Sequence, residues 1–192
     1  MSVVALHTDD LVMSPYNKKE YYGQIATFHC GNEVIDQCLK ESNAHNVTTV
    51  LFLNAANNDE LVGYCSYCCS SISLKEEEES EDSYDECYPA IEIKLFGIAK
   101  KYQNVPIQGD VSGIPVAAYI LDFCVSTLFV EIINESIYAN YIVLHALNEA
   151  IAFYEKNNFA IMESDKATTL IGRFSSGCVP MFMALPKHLL RR

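Results

Sequence analysis

From Gly113 to about Ile133 the chain is almost continuously apolar, with its apolar residues spaced as on a helix. Ala117, Leu121, Cys124, Leu128 and Ile132 follow one face, and Ile120, Phe123, Val125 and Phe129 widen it. A helix this apolar has to be covered on most sides. A bilayer would demand ~18–20 consecutive apolar residues, and no run in the sequence is that long. The cover must therefore come from the protein, and the flanking sequence reads as strands.

Thr48–Asn54 is rich in β-branched and apolar residues and ends at a turn cluster, Asn57-Asn58-Asp59, after which Leu61–Ile72 returns as a hairpin partner. Pro89–Ala99 alternates Ile91, Ile93 and Leu95 against Glu92, Lys94 and Phe96, a third strand. Beyond the apolar helix come a short buried strand at Tyr141–His145, a helix at Asn148–Asn157, and closing strands at Phe159–Met162 and Met181–Leu185. Near the N-terminus Val3–Leu6 reads as a first strand. Glu33–Lys40 reads as an amphipathic helix with apolar residues at 34, 35, 38 and 39 and Asn32 as its N-cap. Lys100–Ser112, with Pro106 and Gly109, reads as loop, and Ser112 is the expected N-cap of the long helix. The order predicts an α/β fold around a mixed, mostly antiparallel central sheet flanked by helices. With no repeat and no linker, one domain spanning 1–192 is expected.

Composition narrows the function classes. The net charge is −12, and the segment from Lys75 to Tyr88 holds −7 of it, so −5 is spread over everything else. That acidic loop, about 75–88, reads as a solvated segment or as a lure for a cationic acceptor. Nothing more basic than Lys100-Lys101 or Arg191-Arg192 occurs, so nucleic acid is disfavoured as a partner, because polyanion binding needs clustered Lys and Arg. The N-terminus lacks a secretory pattern, which makes the cytosol the expected compartment and the membrane an unexpected one. Cys65, Cys68 and Cys69 lie on a strand without a second ligand pair. They read as reduced, mostly buried thiols and not as a zinc knuckle. No metal is expected.

Two stretches resemble a known family. Ala150, Phe153, Tyr154, Glu155, Lys156 and Phe159 match A-x-x-F/L-Y-E-K-x-G-F, the helix of motif B in the GNAT superfamily of N-acetyltransferases, with Asn158 where glycine is usual. Asparagine is the other residue that tolerates a left-handed cap. Leu95–Gln103 resembles the family's fourth strand and the start of its motif A. Cys30-Gly31-Asn32, with Ile35 and Asp36, looks like a stretch of the toxin-like branch, and Pro180–Leu185 suits the last strand. The matches span about residues 28–185. The family's phosphate loop, Q/R-x-x-G-x-G/A, is not reproduced after Gln103: the glycines are displaced to Gly109 and Gly113, and Pro115 removes one amide.

The resemblance implies direct attack of an amine on acetyl-CoA as co-substrate. Gly97 and Ile98 would supply strand backbone groups to it. Ser112, Gly113 and Ile114 would offer amides to its diphosphate, with Gly109 permitting the turn and Phe153 lining the site. Tyr154 stands at the family's acid position, where a phenol, protonated at neutral pH, can donate to a departing thiolate. The base is open. Glu92 reads as a solvated strand residue, His145 as a hydrogen-bonded core histidine and Glu131 as a surface charge. The expected acceptor is an amine-bearing small molecule or peptide, with a homodimer the default assembly. The rival readings are a toxin-like aminoacyl-tRNA acetyltransferase, a catalytically inactive GNAT fold serving as a binding or regulatory protein, and an unrelated α/β interaction protein.

Overall fold

The computed structural model describes residues 5–41, 47–74, 86–109, 113–134, 138–163, 167–169 and 177–186. Val3 and Val4, most of the acidic loop, Asp110 and Ser112 lie outside them. The strands are β1 (Leu11–Pro15), β2 (Thr48–Asn54), β3 (Glu60–Leu74), β4 (Glu86–Ile98), β5 (Tyr141–Ala146), β6 (Ala160–Ile161), β7 (Ala167–Thr169) and β8 (Val179–Ala184). The helices are α1 (Tyr22–Thr27), α2 (Glu33–Glu41), α3 (Val116–Ile133) and α4 (Ile151–Lys156). The eight strands form one sheet in the order β1-β2-β3-β4-β5-β8-β6, with β7 on β3. The β4–β5 ladder is parallel and the others whose register is recorded are antiparallel. This is the mixed, mostly antiparallel sheet that the sequence predicts.

The chain forms two compact units, one from 1–67 and 95–125, the other from 68–94 and 126–192. In the first, β2 and β3 make the expected hairpin, and its turn places Asn58 and Asp59 at φ 52° and 54°. The register slips after Phe52: Phe52 faces Gly63 and Leu53 faces Leu61. Ala117, Ile120, Leu121, Cys124 and Val125 of α3 are buried, each large aliphatic contributing roughly 1.5–3 kcal/mol by leaving water. Phe123, 40% exposed, keeps an edge contact with Phe52.

Two expectations are corrected here. The first strand is Leu11–Pro15, whereas Ala5 and Leu6 are not in a strand. Leu6 is nonetheless buried, and its carbonyl accepts from the Gln108 amide at 2.9 Å. In α2 the Asn32 side chain accepts from the amides of Val34 (3.0 Å) and Ile35 (3.2 Å), the N-cap expected. The buried face is rotated, however: Val34 is 71% exposed, while Asp36 and Leu39 are buried.

In the second unit, Ala90–Ile93 pair with Tyr141–Leu144, and β8 pairs with β5 over its whole length. Ile72, Ala90, Val143 and Met162 form a core cluster, with Tyr141 and Phe182 packed edge-to-face against each other at its margin. No helix among the described residues is long and apolar enough to cross a membrane.

Candidate active site

In the first unit the end of β4 is built on two glycines. A Cβ at Gly63 would lie 2.8 Å from the Gly97 carbonyl oxygen, and one at Gly97 would lie 2.7 Å from the Tyr64 ring. The two backbones and that ring approach as closely as they do because both side chains are missing. Tyr64 is anchored by donating to the Ile35 carbonyl (2.8 Å) and by an edge contact with Phe28. Beyond Ile98 the strand end is tied to the segment before α2. The Lys100 amide donates to His29 O (2.9 Å), and Gln103 Nε2 bridges Ile98 O (3.1 Å) and Cys30 O (2.6 Å). Tyr102, next to Gln103 in the stretch that resembles the start of motif A, is buried and donates to Glu60.

The loop that follows is pinched at its base. Ile107 N–H donates to Ile114 O (2.7 Å), Gly113 N–H to Ile107 O (3.2 Å) and Val116 N–H to Val105 O (2.9 Å). Gly113 therefore spends its amide inside the loop. Gly109, at φ 110°, leaves no room for a side chain beside Thr8, so the N-terminal segment accounts for this glycine. Tyr119 N–H makes the first turn's bond to Pro115 O. The amides of Ile114, Ala117 and Ala118 donate to no backbone carbonyl among the described residues. The last two lie in the first turn of an 18-residue helix, whose N-terminus carries partial positive charge. Amides at a helix N-terminus that no carbonyl takes up are the kind of group that binds anions.

The same unit holds a constellation that the sequence reading did not assemble. His29 Nδ1 lies 2.8 Å from Asp36 Oδ2, and the Cys30 amide donates to Asp36 Oδ1 at 2.8 Å. The Asp36 side chain is 7% exposed and that of His29 is 59% exposed. Burial alone would raise the Asp36 carboxyl. The hydrogen bonds from the Cys30 thiol and amide and from His29 outweigh that, and hold it below its ordinary value. Burial, with help from Asp36, pushes the Cys30 thiol up to about 11. His29 borders a recess of about 290 Å³ with Gln24, Thr27, Ala99 and Lys100.

In the second unit Glu92 is buried, which corrects the expectation of a solvated strand residue. Its Oε2 meets Lys94 Nζ at 2.8 Å and accepts from Ser70 Oγ at 3.3 Å, and its Oε1 lies 3.4 Å from His145 Nδ1. Burial would raise this carboxyl too, but the His145 and Lys94 bonds hold it down. Such a group is a poor proton acceptor. His145 is hydrogen-bonded, as expected, and Glu131 is exposed.

Tyr154 sits on α4, buried, with its ring edge-on to Phe153 (5.1 Å) and Phe159 (5.8 Å). The helix stops where motif B implies. Phe159 N–H returns to Tyr154 O (3.1 Å), Asn158 N–H to Glu155 O (3.2 Å), and Asn158 adopts φ 68°. Replacing Asn158 with valine should cost about 1–2 kcal/mol, because a β-branched side chain resists that conformation, whereas glycine should be neutral or better. Thermal melts of the two variants check this, and an unchanged valine melt would remove the cap's significance.

The predicted site residues thus divide. Gly97, Ile98, Gly109, Gly113 and Ile114 belong to the first unit, Phe153 and Tyr154 to the second, and Ser112 lies outside the described residues. Among the described residues no group of three or more His, Cys, Asp or Glu side chains could hold a metal ion.

No protein-family model matches the chain, and no curated protein does. Solved structures do. One described as a bacterial toxin superposes with a TM-score of 0.66 at 23% identity, over 94% of this chain and 93% of that one. A tyrosine-to-phenylalanine variant of the toxin AtaT, bound to the C-terminus of the antitoxin AtaR and to acetyl-CoA, matches with TM-score 0.63 at 15% identity, over 94% and 96%. AtaT complexed with acetyl-methionyl-tRNAfMet matches with TM-score 0.63 at 16% identity, over 91% and 95%. The chain has the fold of these toxins.

Proposed function

We propose that the chain is an acetyl-CoA-dependent N-acetyltransferase whose acceptor is the α-amine of an aminoacyl-tRNA. The observation that carries this reading is the start of α3 after β4, where the Ala117 and Ala118 amides donate to no backbone carbonyl among the described residues, in a fold shared with a toxin solved with acetyl-CoA. Acetyl-CoA supplies the activated acyl group as a thioester. The Ala117 and Ala118 amides, with those of Ile114 and Ser112, would hold its diphosphate. Gly97 and Ile98 would offer strand backbone to the thioester arm, and Phe153 an apolar wall. Gly113, whose amide is taken by Ile107 O, and Gly109 would serve the site by shaping the loop. Tyr154 would protonate the departing sulfur. AtaT in complex with an acetylated methionyl-tRNA supports the choice of acceptor.

The net charge of −12 favours a second reading, in which a small amine or basic peptide is the acceptor. Labelled acetyl-CoA offered with aminoacyl-tRNAs, uncharged tRNAs, polyamines and a lysine-rich peptide separates the two. Label that follows only the aminoacylated tRNA is the expected result. Label on the peptide or polyamine would transfer the assignment to the second reading, and label on none would overturn both.

A further inference from the structure

We propose that His29, oriented by Asp36, is the group that takes the proton from the attacking amine. This inference rests on the acetyltransferase reading above and supplies the base which that reading lacks. An ionised carboxylate only accepts hydrogen bonds, so the 2.8 Å contact with Asp36 places the proton of a neutral His29 ring on Nδ1. Nε2 then carries the lone pair. Asp36 is itself fixed, because its second oxygen is engaged by the Cys30 amide at 2.8 Å. A buried carboxylate orienting an exposed imidazole is the arrangement that prepares a histidine for proton transfer.

The surroundings favour this pair over its rival. His145 and Glu92 are farther apart, at 3.4 Å, and the His145 side chain is 11% exposed against 59% for His29. His29 also borders a recess shared with Ala99 and Lys100, next along the chain from Gly97 and Ile98. The Lys100 amide to His29 carbonyl bond and the Gln103 bridge from Ile98 to Cys30 lock that recess to the end of β4. The charged and titratable groups around it are Asp36 from α2, Glu60 from β3, Lys100 and Lys101 after β4, and the neighbouring Cys30; Lys101 is paired with Glu60.

The step balances. As the amine nitrogen bonds to the thioester carbonyl carbon, its proton passes to His29 Nε2. The carbon–sulfur bond breaks and the sulfur takes the phenolic proton of Tyr154. His29 then returns its proton to solvent and Tyr154 regains one, leaving an amide and a free thiol.

The test measures kcat/KM for transfer as a function of pH in the wild type, His29→Gln, His29→Ala and Asp36→Asn, together with acetyl-CoA affinity. In the wild type the rate should rise with pH across the range where imidazoles lose their proton, about 5–8. His29→Gln should lose that limb and about 10²–10⁴ of the rate, keeping only the limb of the acceptor amine near ~7.7–8.0. Its acetyl-CoA affinity should be unchanged. Added imidazole should restore His29→Ala at least about tenfold, which a structural role for the ring would not allow. Asp36→Asn should lower kcat/KM less than His29→Gln does, since the ring is kept but loses the carboxylate that orients it. His29 is exposed, so its variants carry the test even where Asp36→Asn does not fold. Wild-type rates and an unchanged profile in His29→Gln, or no imidazole rescue, would overturn the proposal while leaving the acetyltransferase reading intact. A wild-type protein that transfers acetyl to no amine would remove both.

Discussion

Replacing Tyr154 with phenylalanine should lower acetyl transfer by about 10²–10⁴-fold, the usual contribution of a positioned general acid, with acetyl-CoA binding nearly unaltered. The substitution removes one oxygen. The ring that packs edge-on against Phe153 and Phe159 is retained, as are the backbone bonds from Asn157 and Phe159 to the Tyr154 carbonyl. About 0.5–1.5 kcal/mol of stability should go with the hydroxyl. Paired measurements of kcat and of acetyl-CoA affinity decide the matter: a variant that turns over like the wild type would strip Tyr154 of its assigned role, and one that fails to bind acetyl-CoA would make the residue a structural support.

The largest expected loss of stability comes from Gly63. Its added Cβ would meet the Gly97 carbonyl at 2.8 Å and Ile98 Cδ1 at 2.6 Å. A side-chain methyl can rotate away; a carbonyl held in a strand cannot. Gly63→Val therefore has to push β4 aside, at a cost of about 3 kcal/mol or more. For a chain of this size that corresponds to a melting temperature lower by roughly 6–12 °C. Acetyl-CoA affinity should fall with it, because the displaced backbone is that of Gly97 and Ile98. Gly23→Ala is the matched control: nothing lies within 4 Å of its Cβ and it sits in α1, so it should be neutral or stabilise by up to about 1 kcal/mol. A Gly63→Val protein as stable as the wild type would mean that the strands have room the close approach denies.

What the sequence disclosed follows the reach of its local signals. Thr48–Asn54 is legible because β-branched residues end at a turn cluster, and that turn does place Asn58 and Asp59 in left-handed conformations. Asn32 and Asn158 are legible as caps because capping is a matter of one side chain or one φ angle. Features that depend on distant partners were hidden. Glu92 alternates like a solvent-facing residue, yet its neighbours in space are Ser70, Lys94 and His145, and no periodicity announces such a cluster. Val34 reads as core and is exposed; Asp36 reads as surface and is buried, because its carboxylate caps Cys30 and holds His29 seven residues back. The seven-residue spacing was visible, but the turn that folds it back on itself was not. The displaced glycines of the phosphate loop are visible in the sequence, but no local signal shows that Ile107, Gly113, Ile114 and Val116 close its base by hydrogen bonds. That closure spends the Gly113 amide inside the loop, which leaves the first turn of α3 as the proposed diphosphate site.

The most direct measurement is a calorimetric titration of the purified protein with acetyl-CoA and, separately, with S-acetylpantetheine, which has the thioester arm but no diphosphate. One acetyl-CoA per chain is expected, with far weaker binding of the pantetheine derivative, since the amides of Ala117 and Ala118 then have nothing to hold. Equal binding of both would contradict the placement of the diphosphate at the start of α3, and no binding of either would contradict the acetyltransferase assignment itself.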